Sequence, residues 1–364
     1  MPAMQRFGAN QHPIAGKPAP TKKRAFSAVL AGAAGLFMLH PAVAAIPIQH
    51  WTQPSGAQVW LVESPVIPML DVQVDFDAGS RRDPAEQAGL ASVTALMAGK
   101  GVAARDGQPA LDENALGEAW ADLGAAFGGS AGNDRMSFQL RTLTDPDLLQ
   151  KSVALAAREL GEPAWPDDVW QRERQRLSAA IKESRTRPGT IAGLAYSAAV
   201  YGSHPYGYET TPESLARIGV ADMRARYADF IRPCRAKVSL VGAVTRAQAD
   251  ALVTQLLARL PQGSDCAPLP AVPEVVPLAA AKDERIPFQS AQSHVLIGQP
   301  GYKRSDPDFF ALLVGNHILG GGGFTSRLMT QVREQRGLSY SVYSYFAPGL
   351  HAGAFTAGLQ TRPD

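Results

Sequence analysis

Two residues seven positions apart, Arg333 and Tyr340, are the first candidates for chemistry in this 364-residue sequence. An arginine offers a rigid fork of donors suited to a carbonyl or carboxylate. A tyrosine hydroxyl can donate to a developing oxyanion. They lie in Val332-Arg333-Glu334-Gln335-Arg336-Gly337-Leu338-Ser339-Tyr340, which reads as a helix stopped by Gly337 and a strand beginning near Tyr340. Spacing alone favours a solvated arginine and a core tyrosine. Just upstream, Gly320-Gly321-Gly322-Gly323-Phe324 lacks the G-K-[ST] that defines a phosphate loop. The glycines instead suit close backbone approach at a cavity or interface. Gly128-Gly129-Ser130-Ala131-Gly132 matches G-x-S-x-G, but a nucleophile elbow needs a strand before the serine and a helix after it. Here a helical pattern precedes and a strand pattern follows. His204, His294, His317 and His351 are too scattered to make a metal site by spacing.

A second segment, Ala88-Gly89-Leu90-Ala91-Ser92-Val93-Thr94-Ala95-Leu96-Met97-Ala98-Gly99-Lys100-Gly101, resembles the metal-binding helix of the insulinase/pitrilysin-type metallopeptidases. That family writes G-L-A-H-x-x-E-H-M-x-x-K-G, an H-x-x-E-H motif. The two histidine positions hold Ser92 and Leu96, and the glutamate position holds Ala95. The family's third ligand is a glutamate on a later helix, and its position falls on Ala180 within Arg172-Glu173-Arg174-Gln175-Arg176-Leu177-Ser178-Ala179-Ala180-Ile181. Zinc needs about three protein donors, and these side chains do not supply them. Glu173 matches a family position that supports the site without binding metal. The stretch from Leu319 to Val342 resembles the family's second-domain signature, in which an Arg and a Tyr reach across to the zinc site; Arg333 and Tyr340 match them. The resemblance runs from about residue 46 to the end.

The elements that must position these residues follow from periodicity. Gln58 to Val62 and Asp71 to Asp77 read as strands, the second with Val72, Val74 and Phe76 alternating with polar residues. Helices are expected from about Pro84 to Met97, Asp112 to Phe127, 146–160 and 167–184, with a strand from Met136 to Leu143. Lys237 to Gly242 reads as a buried strand. Thr245-Arg246-Ala247-Gln248 then forms a capping box opening a helix whose apolar stripe is Leu252, Val253, Leu256, Leu257 and Leu260. Residues 261–287 hold six prolines and read as an extended linker. A strand from Ser293 to Ile297, a helix from about Asp306 to Leu319 and a strand from Gly353 to Leu359 complete the pattern.

Hydrophobic residues at 45% and charged residues at 19% describe a globular protein. Lys22-Lys23-Arg24, the apolar run Phe26 to Leu39 and Ala42-Val43-Ala44 read as a secretory signal peptide over 1–45. Five of the 35 Lys and Arg fall there and no acidic residue does, leaving 30 basic against 33 acidic residues after cleavage. That balance argues against nucleic acid as a partner. Cys234 and Cys266 are the only cysteines, and an exported chain sits where a bridge between them would persist.

The expected fold class is α+β: two homologous insulinase-type domains of mixed or antiparallel sheet covered by helices, at 46–260 and 288–364, joined by the linker at 261–287. The second is expected to be incomplete. The resemblance implies a periplasmic or secreted, non-catalytic subunit. It would bind no cofactor itself and would pair with an H-x-x-E-H subunit carrying the zinc. Short peptides would be the substrates, with Gly321, Gly322, Gly323 and Phe324 at the substrate and Arg333 and Tyr340 acting in trans. The alternative is a peptidase-derived scaffold or peptide-binding protein. No membrane span is expected after signal cleavage.

Overall fold

The computed structural model describes residues 46–263 and 266–363; the signal peptide read at 1–45 lies outside them. The chain opens with β1 (Gln49–Thr52), β2 (Gln58–Glu63) and β3 (Met69–Phe76). In β3 the alternation is realised: Leu70, Val72, Val74 and Phe76 are buried, while the residues between them are half-exposed. Next come α1 (Leu90–Ala98), α2 (Glu113–Asp122), β4 (Ala126–Ala131), β5 (Met136–Leu143), α3 (Pro146–Gly161) and α4 (Asp167–Ser184). Three helices not foreseen follow: α5 (Pro188–Tyr201), α6 (Pro212–Ala216) and α7 (Val220–Phe230). β6 (Lys237–Gly242) and α8 (Arg246–Leu257) complete this part.

The six strands form one mixed sheet in the order β1-β2-β6-β3-β5-β4. Only β2 and β6 pair in parallel, with Leu61 opposite Leu240. One face of the sheet carries the core, including the fully buried Leu61, Leu70, Phe76, Phe138 and Leu140. Each such side chain contributes roughly 1.5–3 kcal/mol by leaving water. The predicted capping box forms: the Thr245 N–H donates to Gln248 Oε1 (2.8 Å) and the Gln248 N–H to Thr245 Oγ1 (3.4 Å). Val253, Leu256, Leu257 and Leu260 of the predicted stripe are buried.

Two helix boundaries differ from expectation. The helix expected from Pro84 is interrupted, because Gly89 has φ +102° and α1 starts only at Leu90. Asp83 explains the break. Its carboxylate accepts from the Gly89 and Ala91 N–H groups (both 3.1 Å), capping α1 from a buried loop. Arg226 of α7 closes the arrangement with an ion pair to Asp83 (3.1 Å) and hydrogen bonds to the Ala78 and Gly79 carbonyls (both 2.9 Å). The helix expected from Asp112 to Phe127 ends at Asp122, and Ala126 and Phe127 belong to β4 instead. Gly124, at φ +57°, makes the turn.

The segment from 261 to 287 carries no helix or strand among its described residues. Cys234, in the short turn Pro233–Arg235 before β6, is bonded to Cys266, with their Cα atoms 5.9 Å apart. Beyond it come β7 (Ser293–Pro300), α9 (Phe309–Asn316), β8 (Val342–Phe346) and β9 (Ala354–Thr361), whose strands form a second sheet. This sheet is antiparallel, in the order β7-β9-β8. α9 runs on as wider π-helical turns through His317–Gly321, so the helix expected from about Asp306 to Leu319 starts later, at Phe309, and changes pitch at His317. α5 lies against this second sheet: the Tyr196 hydroxyl donates to the Phe355 carbonyl (2.7 Å), and the Ala354 N–H donates to the Tyr201 hydroxyl (2.9 Å). No helix among the described residues is long and apolar enough to cross a membrane.

Candidate functional site

The family's metal frame survives without its donors. Helical geometry puts residues four apart on one face, so Ser92 and Leu96 share a face of α1, Ser92 exposed and Leu96 half-exposed. Ala95 is turned inward and buried, close to β4: a Cβ placed on Gly129 would lie 3.1 Å from the Ala95 carbonyl oxygen. Glycine at 129 therefore lets helix and edge strand approach this closely. Ala180 is exposed on α4. One hydroxyl and three alkyl side chains do not fit a zinc ion, which takes thiolate, imidazole or carboxylate ligands. Among the described residues no cluster of three or more His, Cys, Asp or Glu is arranged to hold a metal.

Glu173 keeps a carboxylate in this region, but ion pairs consume it. Arg176 (2.8 Å), Arg172 (3.3 Å) and Lys100 (3.6 Å) surround it. Burial alone would push its carboxyl up. The hydrogen bond from Arg176, the Lys100 charge and the hydrogen bond from Arg172 outweigh that and hold it below the usual glutamate range. A general base works best with a pKa near the working pH, so Glu173 is placed to brace α4 rather than to move a proton.

Arg333 and Tyr340 do come together. The Arg333 guanidinium lies 4.9 Å from the centre of the Phe324 ring and 5.2 Å from that of Tyr340, a cation held between two aromatic faces. Gly337, at φ +60°, ends the helical turns Met329–Glu334 and brings the chain back so that the pair can meet. Tyr340 is 81% exposed and Phe324 65%. Neither the guanidinium of Arg333 nor the hydroxyl of Tyr340 has an ion-pair or hydrogen-bond partner among the described residues. Tyr340 is thus open to solvent, while Arg333 is half-buried against the two rings.

The four glycines divide by role. A Cβ on Gly320 would come within 2.5 Å of the Ser344 backbone nitrogen, and one on Gly322 within 2.6 Å of the His317 carbonyl oxygen. Gly321 is tight against Asn316, whose amide donates to the Ser344 carbonyl (3.1 Å). Gly323 sits at φ +59° with open space around it. Gly321, Gly323 and Phe324 line a cleft of about 670 Å³ together with Tyr302, Phe309 and Tyr345. Gly322 is spent on packing and is not in that lining.

The serine of G-x-S-x-G sits inside β4, opposite Ser137 of β5. A turn and a strand follow it, so the strained strand-to-helix corner of a nucleophile elbow is absent here. β4 is instead an edge strand: β5 covers one side, and the other has no strand partner among the described residues. α1, with the three altered positions, packs beside that edge. Sequence reasoning missed one polar group altogether, the pair His204 and His351, whose ring centres are 5.1 Å apart although 147 positions separate them. Neither short-range spacing nor periodicity carries such a signal.

This architecture, a mixed sheet with a degenerate ligand helix and a second sheet preceded by the paired Arg333 and Tyr340, defines a peptidase-like α+β protein. Comparison with known proteins agrees. Residues 217–364 match the family described as "Peptidase M16 inactive domain". The crystal structure of a peptidase M16 inactive domain from Pseudomonas fluorescens superposes with a TM-score of 0.81 at 35% identity, over 87% of this chain and 74% of that one. An uncharacterised zinc protease of Bacillus subtilis (strain 168), YmxG, is 23% identical over 311 residues, 85% of this chain and 72% of that protein. The periplasmic protease PqqL of Escherichia coli shares the fold, with a TM-score of 0.69 at 20% identity over 88% of this chain and 34% of its own. The chain belongs to the M16 peptidase family, the insulinase/pitrilysin-type metallopeptidases, and is similar to its inactive-domain and zinc-protease members.

Proposed function

We propose that this chain is the non-catalytic, substrate-binding subunit of a periplasmic, heteromeric zinc metallopeptidase acting on short peptides. One observation carries the reading: Ser92, Ala95, Leu96 and Ala180 cannot ligate zinc or serve as its base, while Arg333 and Tyr340 remain paired, the tyrosine exposed and the arginine half-buried beside it. An isolated scaffold has no use for that pair. In the complex, the H-x-x-E-H partner would hold the zinc, and this chain would present the Arg333 fork and the Tyr340 hydroxyl to the peptide. Gly321, Gly323 and Phe324 would shape the adjoining cleft, with Gly322 holding the loop. A peptide would add as a strand to the free edge of β4, main chain to main chain, which accepts many sequences. In this reading 46–260 and 288–364 are the two insulinase-type domains and 261–287 the linker. The periplasmic assignment rests on the leader-like sequence at 1–45 and on the likeness to PqqL.

The test is a tagged pull-down of the full-length protein from its native periplasm, with partners identified by mass spectrometry. Recovery of an H-x-x-E-H subunit supports the heteromer. Arg333→Ala and Tyr340→Phe should then lower peptide hydrolysis by the complex while leaving assembly intact. Recovery of the protein alone, or only with itself, contradicts the proposal and favours the scaffold alternative.

A further inference from the structure

His204 and His351 lie where four separate pieces of the chain meet. His204 follows α5, His351 lies in the loop between β8 and β9, Glu274 belongs to the 261–287 segment, and Asp134 sits in the turn between β4 and β5. Both imidazoles are buried, His204 at 5% and His351 at 7% exposure. The His204 ring caps the short helical turn Pro205–Gly207, its Nδ1 accepting the Tyr206 N–H at 3.1 Å. That bond requires a bare Nδ1 and hence a neutral ring with its proton on Nε2. Nε2 is itself buried without a well-formed hydrogen bond.

Around this ring the partners interlock. The Tyr206 hydroxyl donates to Asp134 (2.5 Å) and accepts from the His351 N–H (3.2 Å). Asp134 also takes the Leu350 N–H (2.9 Å) and faces Arg81 (3.2 Å). His351 Nδ1 meets Glu274 (3.1 Å), which Lys303 also holds (2.6 Å). Tyr201 packs on the His204 ring from α5.

We propose that His204 and His351 form an acid-sensitive latch that holds the β8–β9 loop and the 261–287 segment against the first sheet's loops, and that acidification releases it. Protonating His204 places a proton on Nδ1, which destroys its bond to the Tyr206 N–H and sets two donors against each other. The new charge is buried beside His351 and Arg81, with the Pro273 carbonyl and Glu274 as the nearby groups that favour a proton. Burial, then the His351 and Arg81 charges, prevail and hold His204 below the ordinary histidine range. The released state binds this proton more readily than the closed one, so the latch is stable above pH ~6.5 and weakens as pH falls below it.

The experiment is amide hydrogen exchange on the full-length protein from pH 7.5 to 5.0, corrected for the intrinsic pH dependence of exchange. The readout is protection of the Tyr206, Leu350 and His351 amides. Wild type should lose protection about tenfold or more on acidification. His204→Asn keeps a capping acceptor that does not titrate and should retain protection throughout. Unchanged wild-type protection overturns the latch, and so does loss in His204→Asn with the same midpoint as wild type. If His204→Asn does not fold, His351→Gln decides: removing the facing imidazole, whose charge disfavours a proton on His204, should move the midpoint to lower pH, and an unmoved midpoint overturns the proposal.

Discussion

Glu159 on α3 offers the most quantitative test of how this core is built. Its carboxyl is 4% exposed, it accepts a single hydrogen bond from Trp120 Nε1 (2.8 Å), and no ion pair reaches it among the described residues. It also lies beneath the C-terminal end of α1, where a Cβ on Gly99 would come within 3.3 Å of it. Burial raises its pKa from 4.5 to about 7, against a smaller opposing effect of the Trp120 bond. A folded-state pKa above the unfolded one favours folding at low pH, and that advantage is lost as pH rises through about 7. A gap of that size corresponds to about 3 kcal/mol of stability lost between pH ~4.5 and pH ~8. Glu159→Gln removes the charge and keeps an acceptor for Trp120, although its new amide donors need partners. It should therefore gain about 1–3 kcal/mol at pH 8 and little at pH 5. Paired thermal melts of wild type and variant at the two pH values read this as a rise in Tm of a few degrees at pH 8 only. A variant that melts below wild type by the same margin at both pH values would refute the reasoning.

Three further outcomes are expected. Asp83→Ala uncaps α1 and strands the buried Arg226 without its charge partner, which should cost about 3–5 kcal/mol in urea unfolding; a loss under 1 kcal/mol would mean that the carbonyls of Ala78 and Gly79 satisfy Arg226 unaided. The Cys234–Cys266 bridge closes a loop of 32 residues, so reduction should lower stability by roughly 3–4 kcal/mol on loop entropy, and unfolding curves with and without reductant should separate accordingly. Gly129→Val should destabilise the chain, because its Cβ would crowd Phe138 Cε1 at 2.8 Å and the Ala95 carbonyl at 3.1 Å; an unchanged midpoint in urea would show that α1 is free to draw back from β4.

Much of the scaffold was legible because it obeys local rules. The alternation in β3 is fixed by the pleat, and the Thr245 capping box and the α8 stripe are fixed by helix geometry. The α1 break was missed for a tertiary reason: Asp83 caps α1 from outside the apparent helix, and Gly89 pays for the turn. α5 escaped notice because its apolar and glycine residues give no one-sided stripe; nearly all of it is half-buried where it lies against the second sheet. The contact of Arg333 with Tyr340 and Phe324 was not legible: spacing allowed a solvated arginine and a core tyrosine, and only the turn at Gly337 brings the three side chains together. His204 and His351 were invisible as a pair, because only the docking of the β8–β9 loop brings them together.

The central claim is that this chain supplies binding groups and no metal to a peptidase that works only with a partner. Its most direct test is a reconstitution: pure full-length protein, assayed for zinc content and for cleavage of a quenched fluorescent peptide, alone and mixed with an H-x-x-E-H subunit recovered from the same periplasm. The account predicts no stoichiometric zinc and no cleavage by the chain alone, with cleavage by the mixture exceeding that of the partner by itself. One zinc per chain with hydrolysis by this protein alone, or a mixture no more active than the partner, would contradict it.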